Sequence, residues 1–181
     1  MFSCFGATGT GSGWTIYRNG THIEVYSGAG GNGGVLTSTS SPAAGVWTHF
    51  AFVRSGSTLY LYINGVSEAT RSNSSFTDET SNAMYIGRRA DNTSELVNGY
   101  LSNLRVVKGS SVYPSGTTFT PPTTALTAIT NTTFLLNSNR IVDTSTNNAT
   151  PTIYGSNPIQ RFSPFNPTAS YSTATIGGSG Y

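Results

Sequence analysis

The stretch Val46–Val66 reads V-W-T-H-F-A-F-V-R-S-G-S-T-L-Y-L-Y-I-N-G-V and leaves the chain few options. Trp47, His49, Ala51 and Val53 alternate with Val46, Thr48, Phe50, Phe52 and Arg54. A period of two sends successive side chains to opposite faces, which is the pattern of a strand. Ser55-Gly56-Ser57 is turn chemistry. The alternation then resumes, with Leu59, Leu61 and Ile63 on one face and Thr58, Tyr60 and Tyr62 on the other. Asn64-Gly65 follows, the dipeptide that best accepts the positive φ angles of a type I′ turn. Two hairpins in succession make a meander, so the sheet is antiparallel. With the leucines toward the core, Tyr60 and Tyr62 are expected to face outward.

The rest of the chain suits the same architecture. Only 9% of its 181 residues are charged, well below the usual quarter, and Gly, Ser, Thr and Asn take their place. Such residues favour turns and short strands over helices, and no window holds a helical period. Aromatic residues make up 12% of the chain, enough bulk for a two-layer core. The net charge is +2 with no basic stripe, which argues against a nucleic-acid partner. No apolar run is long enough to insert in a membrane. Met1-Phe2-Ser3-Cys4 lacks the charged and apolar regions of a signal peptide, so any export is expected to use another route, such as release by lysis. Cys4 is the sole cysteine, so no internal disulfide can form.

In chain order, Met1 to Gly13 is a Gly/Thr/Ser-rich lead. Trp14–Arg18 and His22–Tyr26 read as a hairpin about Asn19-Gly20-Thr21, and Gly28–Gly34 as a glycine-rich connection without a phosphate-loop ending. Val35–Ser38 is a short strand. Asn82–Gly87 is a strand between two polar loops, and Glu95–Lys108 reads as one long final strand with an irregularity near Gly99. Pro121-Pro122 marks a boundary, because proline ends ladder pairing. Residues 1–123 and 124–181 are therefore read as separate segments.

Certain of these residues carry a resemblance. Trp47-Thr48-His49-Phe50-Ala51-Phe52-Val53-Arg54, the short turn and Leu59-Tyr60-Leu61-Tyr62-Ile63-Asn64-Gly65 resemble the central hairpin of laminin G-like domains of the concanavalin A-like lectin/glucanase superfamily. Gly99–Gly109 is similar to that family's last strand. Tyr113 and Phe119-Thr120-Pro121-Pro122-Thr123 are similar to the closing segment of a variant frequent in bacteriophage and bacterial surface proteins. The resemblance implies an all-β jelly-roll sandwich of two antiparallel sheets. It covers roughly Gly13 to Thr123 and omits the pair of strands that in this family precedes Trp14. Asn131–Asn137, Ile141–Ser145 and Asn147–Thr150 resemble the opening of another such unit, as does Ser170–Tyr181. Two accounts fit: a piece of a tandem array completed by a neighbouring copy, or a circularly permuted domain whose Leu135 and Tyr171 strands close the first sheet. An uncovered edge beside Trp14 would favour self-assembly. A secreted animal laminin G domain often has an internal disulfide, and its impossibility here points to a microbial or phage source.

The chemistry is sparse. The superfamily's hydrolases carry Glu-x-Asp-x-x-Glu on one strand to place two carboxyl groups across a glycosidic bond. None of Glu24, Glu68, Asp78, Glu79, Asp91, Glu95 and Asp143 forms that pattern, so no enzyme is expected. His49 stands where the family commonly has a structural histidine, and His22, beside a turn, is expected in solvent. Many laminin G domains hold one Ca2+ at the rim through carboxylate, amide and carbonyl oxygens. By that resemblance Asp78, Glu79, Asp91 and Asn92 are the candidate metal ligands. For a sugar, the candidates are the outward tyrosines Tyr60, Tyr62 and Tyr85 for stacking, with Arg54, Arg18 and Asn98 for hydroxyls. Outward tyrosines serve protein interfaces equally well. The resulting expectation is a non-catalytic structural or adhesion module at a virion or extracellular surface, in a tail, fibre or capsid decoration. Its partners are copies of itself or other virion proteins. The alternative is a lectin module for host glycans.

Overall fold

Alternation does become strand. The computed structural model describes residues 2–5, 13–27, 35–72, 83–88, 96–137, 140–155, 159–160 and 162–167. Its elements are β1 (Phe2–Phe5), β2 (Gly13–Asn19), β3 (His22–Ser27), β4 (Val35–Thr37), β5 (Phe50–Ser55), β6 (Thr58–Ile63), β7 (Val66–Ser72), β8 (Met84–Ile86), β9 (Leu104–Val107) and β10 (Thr132–Leu136). No helix occurs among the described residues. The chain forms two compact units, one of residues 1–101 with 109–121, the other of residues 102–108 with 122–181.

The larger unit contains two antiparallel sheets, ordered β4-β3-β2-β1-β8 and β5-β6-β7. In the first, Ile16 pairs with Val25 and Val25 with Leu36. This cross-strand row is buried. In the second, the register sets Phe50 opposite Ile63, Phe52 opposite Leu61 and Arg54 opposite Leu59. Leu59, Leu61 and Ile63 are buried, each contributing about 1.5–3 kcal/mol by leaving water. The Phe52 ring lies 6.3 Å from Trp14 of β2, which joins the two inner faces. A second tie is polar. The register shifts between Leu61 and Tyr62 where Glu68 bulges from β7, and its carboxylate accepts from the Ser40 amide at 2.8 Å and the Thr39 hydroxyl at 3.2 Å.

The turns take the chemistry their residues suggest. Asn64 and Gly65 have φ of 50° and 82°, as a type I′ turn needs. The Asn64 side chain also accepts from the His49 amide at 3.0 Å.

The structure corrects four expectations. β1 pairs with both β2 and β8, so the strand of Trp14 has a neighbour on each side and no open edge there. The central hairpin begins at Phe50, not Val46. The long final strand shrinks to Leu104–Val107. Upstream of it, Leu96 makes only an isolated bridge with Arg88, and Asn103 turns to a φ of 54° that a continuous strand does not permit. His22 is half-buried, and its Nδ1 donates to the Ser38 carbonyl at 2.8 Å.

In the smaller unit β9 pairs with β10 in a two-stranded antiparallel ladder. Two strands alone are marginal in water, and this pair is reinforced from its flank. Asp143 is buried, and its carboxylate accepts the amides of Leu135, Ser145 and Ala149 and the Ser145 hydroxyl, each at 2.9 Å. Burial alone would raise its pKa. The four hydrogen bonds outweigh that and hold the carboxyl below its ordinary value. The adjoining Thr144 amide donates to the Leu135 carbonyl at 2.9 Å, so the turn grips both backbone groups of one β10 residue.

Candidate functional site

The tyrosines of β6 lie on the face away from the leucines, as their alternation requires, yet that face is not open. Tyr62 has no exposed surface. It packs with Ala51 and Val53 beneath Tyr113 and Phe119, brought by residues 113–121 across the outer face of β5 and β6. The Tyr62 hydroxyl donates to the Pro114 carbonyl and accepts from the Gly116 amide at 2.9 Å. The Phe119 amide donates to the Gly65 carbonyl at 2.9 Å. At Gly65 a Cβ would sit 1.9 Å from the Phe119 carbonyl oxygen, so only glycine admits this strap.

This corrects the outward placement of Tyr62. Tyr60 is half-buried and stacks on Tyr62 with ring centroids 6.2 Å apart. Arg54 does not join them. It pairs across from Leu59, so its position belongs to the opposite face, and its Nε donates to the Gly56 carbonyl of its own turn at 3.0 Å. Tyr85 is on β8 in the other sheet, with the Arg88 guanidinium over its ring at 4.6 Å. The four residues thus form no common platform. Tyr113 and Phe119 are what the sugar-site reading missed. The aromatic-proline run from Tyr113 to Pro121 was their signal.

His49 lies under the same strap. Its ring centroid is 5.9 Å from Tyr113 and 5.7 Å from Phe119, nearly perpendicular to both. Burial lowers its pKa, and its buried Nδ1 has no hydrogen-bond partner among the described residues.

The described carboxylates are each engaged locally. Glu24 accepts from the Tyr17 hydroxyl at 2.5 Å and from Asn19 at 3.2 Å. Glu68 and Asp143 hold the contacts given above. Burial works against the Glu68 charge, but bonds from Ser40 and Thr39 prevail and lower its pKa. Asp78, Glu79, Asp91 and Asn92, the candidate calcium ligands, lie outside the described residues, as does Glu95. Among the described residues no group of three His, Cys, Asp or Glu side chains could hold a metal ion.

The central hairpin, the two antiparallel sheets and the fitted strap define a laminin G-type sandwich. The sequence model of that family, described as the concanavalin A-like lectin/glucanases superfamily, matches residues 2–111, and the chain belongs to it. No curated protein and no solved structure matches the chain. The fold is compatible with a non-catalytic adhesion or carbohydrate-binding module.

Proposed function

We propose that this chain is a non-catalytic structural or adhesion module that associates with copies of itself, at a virion or extracellular surface. The observation that carries this reading is the smaller unit. Its ladder has two strands; the turn after β10 holds the outward backbone groups of Leu135 and Thr133, while among the described residues no strand pairs with the other side of β9. The same unit exposes Ile129, Val142, Ile153, Tyr154 and Ile159 to solvent. Open strand edges and exposed large apolar side chains are both features that protein association covers. The engagement of Glu24, Glu68 and Asp143 by local donors supports the non-catalytic part.

The glycan reading loses its stacking pair with the burial of Tyr62. Light scattering on the full chain, run beside a glycan array on the same sample, separates the two. The proposal expects oligomers and an array without signal. A monomer that binds glycans, with binding lost in Tyr60→Ala, overturns it.

A further inference from the structure

We infer that the strap of residues 113–121 is an acid-released cover, closed over the outer face of β5 and β6 while His49 is neutral and freed when His49 takes a proton. The geometry begins with the stacked pair of Tyr113 and Phe119, whose centroids are 3.8 Å apart and planes 8° apart. The His49 centroid is nearly equidistant from the two rings. A point equidistant from two parallel rings lies beside the pair, at their rims, not over a face. Aromatic rims carry the positive side of the ring quadrupole. An imidazolium at this place therefore meets repulsion where over a ring face it would meet attraction.

On the strap, β5 and β6 no carboxylate compensates the charge. The strap, Tyr113-Pro114-Ser115-Gly116-Thr117-Thr118-Phe119-Thr120-Pro121, contains no acid or base apart from the Tyr113 phenol. On β6 the titratable groups are Tyr60 and Tyr62, and the Tyr62 hydroxyl is committed to the strap. On β5 the one charged group is Arg54, at an opposite-face position and held to its own turn. No carboxylate stands on any of these elements.

The sign follows. His49 is held neutral by burial, so its folded pKa lies below the ordinary imidazole value of about 6.5. The closed strap is fully favoured above that value. It weakens as pH falls from there toward the lowered one. The polar contacts of Tyr62 and Gly65 and the rings of Tyr113 and Phe119 hold the strap on the tyrosine side of β6, so it can lift while the leucine side stays packed. Ala51, Val53, Tyr60 and Tyr62 would then be bared together.

The test is hydrogen exchange on the full chain between neutral pH and about pH 5, corrected for intrinsic rates, read alongside the imidazole Cε1–H NMR signals. Protection of the Gly116 and Phe119 amides is expected to fall by up to about tenfold per pH unit as pH drops from about 6.5 toward the lowered His49 midpoint and to level off below it, while the Leu59 and Leu61 amides keep theirs. In His49→Phe the pH dependence should vanish. Tyr62→Phe, which loosens the clasp but keeps the histidine, should shift release to higher pH. Strap protection that is independent of pH in the wild-type chain overturns the inference, as does an equal loss in His49→Phe. If His49→Phe does not fold, the wild-type spectra decide. Strap signals that move with the His22 midpoint, and not with that of His49, contradict it.

Discussion

Two residues in this chain are held by constraints no neighbour in sequence reveals. Asp143 collects four donors in the interior, and one of them, the Leu135 amide, belongs to the middle of a strand. Asp143→Ala strands those donors and should cost about 2–4 kcal/mol, read by urea unfolding. Asp143→Asn, which keeps one acceptor oxygen, should lose less. The carboxyl's lowered pKa sets the sign with pH: its stabilisation is complete above the ordinary carboxylate range and is lost as pH falls through the depressed value. Acid unfolding that begins below about pH 4 in the wild type should be muted in Asp143→Asn. Gly65 is the second. Its φ is +82° and a Cβ would overlap the Phe119 carbonyl, whereas Gly56, at +58°, has open space around it. Gly56→Ala should cost about 1–2 kcal/mol for the left-handed backbone alone. Gly65→Ala should cost clearly more, and equal midpoints for the two in thermal unfolding would contradict the close approach of the strap.

At the scale of elements, β6 is buried on both sides. Its leucine side could be read from alternation, because a period of two with a turn at either end determines the strand and its register. Its tyrosine side could not. The group that covers Tyr62 lies 52 residues further along the chain, and alternation reports a change of face, not what is packed there. Tyr62→Phe removes one donated and one accepted hydrogen bond while keeping the ring. It should cost about 1–2 kcal/mol and raise proteolysis between Tyr113 and Pro121 before global unfolding begins. The same limit hid β1. Gly, Thr and Ser dominate the first residues, so a short strand is not conspicuous there, and what makes it a strand is pairing with β8 more than seventy positions away, as in Phe2 opposite Ile86. The last strand erred the other way. Glu95–Lys108 is rich in residues that suit a strand, but the left-handed Asn103 ends regular pairing before Leu104. His22 was misplaced for a related reason. Its position beside a turn suggests solvent, and only the return of the chain at Ser38 buries it.

For the whole molecule, family membership and fold were legible because Trp47–Gly65 encodes a particular hairpin and little else. A site was less legible. Tyr62, Arg54 and Tyr85 suit a sugar site by residue type, yet they belong to three different settings. The smaller unit exposes Ile153 and Tyr154, part of the apolar surface that the proposed association would cover. Sedimentation velocity from nanomolar to high micromolar protein, on the wild type and on Ile153→Ser/Tyr154→Ser, tests this most directly. The account predicts reversible, concentration-dependent oligomers in the wild type and a shift to monomer in the double variant with its fold intact. A single monomeric species across the whole range in the wild type would contradict it.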